Sequence, residues 1–376
     1  MANTPPRSAY DHERVKEDCD NYNNSVLASL AFINVLRWDG EKNELTKTHK
    51  YEIGRRMKTS AKNVVSPSTT ITPDIVVQSE SGAGVIGEVT AKLTTDREIW
   101  RDKLMQLKKY DDDLTGWWTK DGRIAGHDVA LIINLTRSVL VSDILAEEKE
   151  LAEKVRMSEK NASADAKSST ASPERKLLEF ERKVAVVGFE RSSGATKEAI
   201  TLKKEFGALT NKAASETLRN TVRVALEILV VEYHDKKFAD HEPPEPLLLQ
   251  ILWETLFTSY LGEGTPFNED LGYTPLRVTA KQVTEDLRKY YGFTGTDDHS
   301  PQIPRMSWVR KSLGRLVQFG LAHVDKDEFV VHYRRLRGDP LKRFGKLVHE
   351  AGPLPSATPT QPSLFSDDSK GSASNG

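Results

Sequence analysis

Pro73-Asp74, then Glu88-Val89-Thr90-Ala91-Lys92, then Gln106-Leu107-Lys108-Lys109-Tyr110 follow one another along the chain, and this order decides the fold. The first two pieces lie on strand-like stretches, Asp74 to Gln78 and Val85 to Leu93. The stretch between them, Ser79 to Gly84, has the composition of a hairpin turn. Side chains alternate across a strand, so Glu88, Thr90 and Lys92 share one face. Thr95 and Asp96 can cap a helix over 97–113. That helix would put Gln106 and Tyr110 one turn apart on one face, with Lys103 nearby. Two carboxylates at neighbouring strand ends can hold a hard divalent cation, and such a cation can activate water against a phosphodiester.

Working outward, Val15, Cys19, Tyr22, Val26, Leu30 and Ile33 recur at helical spacing and predict a helix over about 12–36. A second helix is expected over 41–57 and a strand over 62–65. Val129 to Leu135 is a continuous apolar run, suited to a strand buried on both faces. Charged residues 147–160 predict an exposed helix, and 161–172 read as flexible, giving an insertion at about 146–175. Val184 to Phe189 is again strand-like. Residues 1–210 thus read as one α/β domain, with a mixed sheet flanked by helices. Residues 211–350 read as mainly helical: a helix over 214–233, one after Pro243, Pro244 and Pro246, and two capped by Thr279 and Ser307. A hairpin follows, turning at Asp325-Lys326-Asp327. Residues 351–376 read as a disordered tail.

The 376 residues carry a formal net charge of −1, so any nucleic-acid contact must come from local patches. Cys19 is the only cysteine, which excludes intrachain disulfides and cysteine-based zinc sites and fits a reducing cytoplasm. The charged N-terminus is unlike a secretory signal, and the apolar runs are too short to span a bilayer. The nine histidines show no zinc spacing, and no glycine loop has a phosphate-cradling context. Asp111-Asp112-Asp113 read as a solvated helix end.

The stretch 41–135 resembles the PD-(D/E)xK nuclease superfamily, in its RecB-like Q-xxx-Y variant. Pro73-Asp74 matches the PD element, Glu88 the second acid, and Gln106 to Tyr110 the helix motif. The resemblance implies a restriction-endonuclease-like mixed sheet, Mg²⁺ (or Mn²⁺) on Asp74 and Glu88, and hydrolysis of DNA. It also implies a glutamate from the preceding helix, for which Glu44 is the best-placed match and Glu52 a substitute. Thr90 stands where the motif has lysine. Lys92 or Lys103 can take that role, or activity is lost.

The order helix, helix, hairpin over 280–334 resembles a winged-helix domain. Residues 301–350 hold eleven Lys and Arg against five Asp and Glu. Arg305, Arg310, Lys311, Arg315, Arg334 and Arg335 are the expected DNA contacts. In the tail, Gln361-Pro362-Ser363-Leu364-Phe365 resembles the bacterial sliding-clamp-binding pentapeptide, with Gln361, Leu364 and Phe365 as anchors. The expectation is therefore a cytoplasmic, metal-dependent DNA endonuclease in bacterial defence, restriction or repair. Two alternatives stand beside it: an inactive nuclease-fold DNA-binding adaptor or regulator, and an interaction subunit of a defence or repair assembly.

Overall fold

The computed structural model describes residues 10–39, 42, 44–59, 69–91, 94–162, 178–193, 197–261 and 272–352. The expected strand over 62–65, Lys92, the second half of the insertion and the clamp-like Gln361, Leu364 and Phe365 lie outside the described residues.

The chain opens with α1 (His12–Arg37), the short pair β1 (Trp38–Asp39) and β2 (Glu44–Leu45), then β3 (Lys50–Ile53), β4 (Met57–Thr59) and β5 (Thr70–Ile71). Next come β6 (Ile75–Gln78), β7 (Gly84–Thr90), α2 (Arg97–Leu107), β8 (Leu114–Thr115), β9 (His127–Asn134), α3 (Leu135–Ala162), β10 (Val184–Ser193) and β11 (Glu198–Gly207). The rest comprises α4 (Lys212–Thr217), β12 (Val222–Ala225), α5 (Leu226–Glu232), α6 (Glu245–Ile251) leading through a π-turn into α7 (Phe257–Ser259), β13 (Thr274–Val278), α8 (Ala280–Tyr290), α9 (Met306–Gln318), β14 (Ala322–Asp325), β15 (Glu328–Tyr333) and α10 (Pro340–Ala351).

The architecture is mixed α/β. A seven-stranded sheet runs in the order β12-β11-β10-β9-β7-β6-β3. Its centre, β7-β9-β10, is parallel, with α2 and α3 lying in the crossovers, and the flanking strands are antiparallel. Alternation sorts β9 between two cores. Val129, Leu131 and Ile133 pack with Trp100, Leu104 and Val141 on the α2–α3 side, while Ala130 and Ile132 join the α1 side. Burial on both faces is what the unbroken apolar run in β9 requires.

Two expected elements come out differently. The helix over 41–57 is replaced by β2, β3 and β4. Tyr51 and Ile53 pair with Val77 and Ile75 at the sheet edge, and Gly54 follows at φ +69°, a left-handed conformation suited to glycine. The helix over 214–233 is cut in two by β12, whose Val222 and Val224 sit opposite Leu202 and Ile200. These β-branched residues suit the strand, and sheet pairing overrides the helical spacing around them. The helix expected over 147–160 is present as the second half of α3, which continues to Ala162 and so takes in the start of the insertion.

The boundary expected at residue 210 cuts through the sheet, since β12 lies beyond it. One apolar core joins α1, the sheet and the C-terminal helices, from Phe32 and Ile132 to Trp253, Val283, Leu313 and Phe344. In the C-terminal third, β13-β15-β14 form a three-stranded antiparallel sheet beside α8 and α9. Among the described residues, no helix is long and apolar enough to cross a membrane.

Candidate functional site

Asp74 and Glu88 are brought together by the β6–β7 hairpin. Register pairs Ile75 with Gly87, so the residue before β6 lies beside the end of β7. Asp74 is buried, and its Oδ2 accepts the Val89 N–H at 2.7 Å. Burial and the adjacent Glu88 charge raise the Asp74 carboxyl well above its ordinary range. Glu88, on the opposite face from Val89, points toward α2 and the turn after it. There it accepts a hydrogen bond from the Tyr110 hydroxyl. Lys109 Nζ lies 3.4 Å from its Oε1, and Lys103 Nζ lies 4.0 Å from its Oε2.

Tyr110 is fully buried, whereas Gln106 is exposed on α2. The expected shared face fails because α2 ends at Leu107 and Lys108–Tyr110 tighten into a 3₁₀ turn. A 3₁₀ turn has three residues per turn and rotates Tyr110 away from the Gln106 direction. Burial, and then the Glu88 charge, hold the Tyr110 phenol protonated far above its usual range. It therefore acts as a fixed donor to Glu88.

His127, at the start of β9, supports this turn. Its Nε2–H donates to the Tyr110 carbonyl at 2.7 Å. Burial lowers its pKa from 6.5 to about 4, so the folded protein holds it neutral. The unfolded chain binds the extra proton between pH 6.5 and about 4. This contribution is complete above pH 6.5 and is lost as pH falls toward 4. In His127→Gln the penalty disappears. Between pH 7 and pH 4 the wild type should lose about 3 kcal/mol more than the variant in denaturant titrations. Identical pH profiles would overturn the assignment.

The pair lies in an open cavity of about 950 Å³. Its other lining includes Thr90, Lys103 and Lys109, Glu17 and Asp18 from α1, Asp240 and Glu242 from the segment before α6, and Lys311 from α9. Asp240 is a third acid beside the pair. Burial and the Glu88 charge raise its pKa, while Arg305 opposes the rise. Among the described residues, no group of three or more His, Cys, Asp or Glu is set to hold a metal ion.

Glu44 is elsewhere. It is exposed on β2 and lines a separate cavity with Trp38, Asp39 and Thr46. Glu52 is bound to Arg55 at 2.6 Å. With the expected helix over 41–57 absent, the helix preceding the strands is α1, and its Glu17 and Asp18 are the acids at the cavity.

Of the expected basic contacts, Arg315 is corrected. It is 4% exposed and clamps Glu245 through two contacts, 2.6 and 3.1 Å, while donating to the Gly352 carbonyl at 2.6 Å. A buried, fully engaged guanidinium is part of the scaffold. Arg305 pairs with Asp240 at 3.2 Å and Lys311 with Glu242 at 3.0 Å. Arg310, Arg334 and Arg335 are exposed.

Comparison of the chain with protein-family models, with curated proteins and with solved structures gives no match.

Proposed function

We propose that the chain is a metal-dependent deoxyribonuclease of PD-(D/E)xK type, hydrolysing DNA phosphodiester bonds in bacterial defence, restriction or repair. One observation carries this reading. Asp74 and Glu88 stand together in an open cavity that also presents Lys103 and Lys109.

The residues fit a hard divalent cation. Both donors are carboxylates, and Mg²⁺ keeps several waters, so two protein ligands suffice. A cation between them would relieve the burial and repulsion that raise the Asp74 carboxyl. When bound, Mg²⁺ or Mn²⁺ supplies Lewis acidity and a water of lowered pKa. Tyr110 fixes one oxygen of Glu88, and the Val89 N–H fixes one of Asp74. Lys103 and Lys109 are placed to neutralise charge growing on a phosphate at the cavity. In the absence of a lysine at Thr90, Lys103 is the described residue that takes its part. The winged-helix-like arrangement of β13, α8, α9, β14 and β15 supports DNA as the substrate, with the exposed Arg310, Arg334 and Arg335 near phosphates.

The test is Mn²⁺ binding by calorimetry. Wild type should bind Mn²⁺, and Glu88→Gln should bind it at least about tenfold more weakly. Equal affinity in both proteins sinks the reading. A non-catalytic DNA-binding adaptor is the second reading, favoured by Thr90 and by Glu88 being engaged by Tyr110 and two lysines. It predicts salt-sensitive DNA binding without cleavage.

A further inference from the structure

Three cations of α9 and its N-terminal edge are matched, in step, by three carboxylates of one short segment. Arg305 pairs with Asp240 at 3.2 Å, Lys311 with Glu242 at 3.0 Å, and Arg315 with Glu245 at 2.6 Å. In the third pair Arg315 is buried and Glu245 partly buried. The first two are partly exposed, with Arg305 at 48% and Lys311 at 43%.

The segment is held at both ends. The Ala239 N–H donates to the Tyr22 hydroxyl at 3.0 Å, the Tyr22 ring meets His241 edge-on at 5.1 Å, and Pro243 and Pro246 are buried. Between these anchors, turning the side chains of Asp240 and Glu242 uncovers Lys311 and leaves Arg305 with a single contact to the segment, to the Asp240 backbone carbonyl at 3.3 Å. Partly exposed ion pairs of this kind are weak and yield to a competing anion. A phosphate diester presents the same oxygen acceptors to Arg and Lys as a carboxylate. Lys311, Asp240 and Glu242 line the cavity that holds Asp74 and Glu88. A backbone taking the places of these two carboxylates would thus lie at the entrance to that pair.

We propose that Asp240 and Glu242 mimic backbone phosphates, covering Arg305 and Lys311 in the free protein until a nucleic-acid backbone displaces them. This rests on the preceding reading only in taking DNA as the partner.

The experiment is duplex DNA binding by the full chain at low salt in EDTA, where hydrolysis does not contribute. Asp240→Asn with Glu242→Gln should tighten binding about fivefold or more, and Arg305→Ala with Lys311→Ala should weaken it at least about tenfold. The control is Glu150→Gln with Glu227→Gln. It removes the same formal charge from exposed pairs with Lys154 and Lys197, and should change binding little. Equal tightening by control and test variants overturns the proposal, as does unchanged binding in either test variant or no DNA binding by any form. Tightening confined to the Asp240–Glu242 variant, in a protein that never cleaves DNA, would uphold this contact while ending the nuclease reading.

Discussion

Asp74→Asn is expected to give a protein more stable than wild type at neutral pH and at least about 100-fold less active as a nuclease. Asp74 is 6% exposed and faces a second carboxylate, which raises its pKa. A carboxyl raised in the fold contributes stability that is present at low pH and lost as pH rises through its folded pKa. Asparagine keeps an oxygen for the Val89 N–H but carries no charge. The gain over wild type should therefore grow with pH, to about 1 kcal/mol at pH 7.5, and vanish toward pH 3. Denaturant titrations at both pH values measure it. A variant less stable than wild type at pH 7.5 contradicts the account.

Arg315→Ala should destabilise the fold by about 3–5 kcal/mol, because it strands Glu245 in a partly buried site. Arg315 also ties the end of α10 to α9 through the Gly352 carbonyl. Lysine should not rescue, since it lacks the planar fork that meets both oxygens of Glu245. Thermal or denaturant melting checks this. A wild-type midpoint in the alanine variant would return Arg315 to the set of expected DNA contacts.

The parts legible in the sequence are those fixed by local pattern. The β9 run, the β6–β7 hairpin that joins Asp74 to Glu88, and the Asp96 cap of α2 all appear where their residues place them. The parts misread depend on partners far along the chain. Tyr110 reaches Glu88 as its motif implies, but Gln106 does not and Lys109 does, because α2 tightens after Leu107. Asp240 enters the cavity from 166 residues beyond Asp74, with no local signal to announce it. Arg315 looks like Arg310 in sequence, and its role is set by Glu245 and the Gly352 carbonyl, both distant along the chain. Helical spacing over 214–233 was real but weaker than the pairing of β12 with β11.

The most direct measurement is cleavage of plasmid DNA by wild type, Asp74→Ala and Glu88→Ala, each with Mg²⁺ or Mn²⁺ and again with EDTA. Wild type alone should cleave, and EDTA should abolish its cleavage. Equal cleavage by all three proteins, or none by a folded wild type that binds DNA, contradicts the nuclease reading.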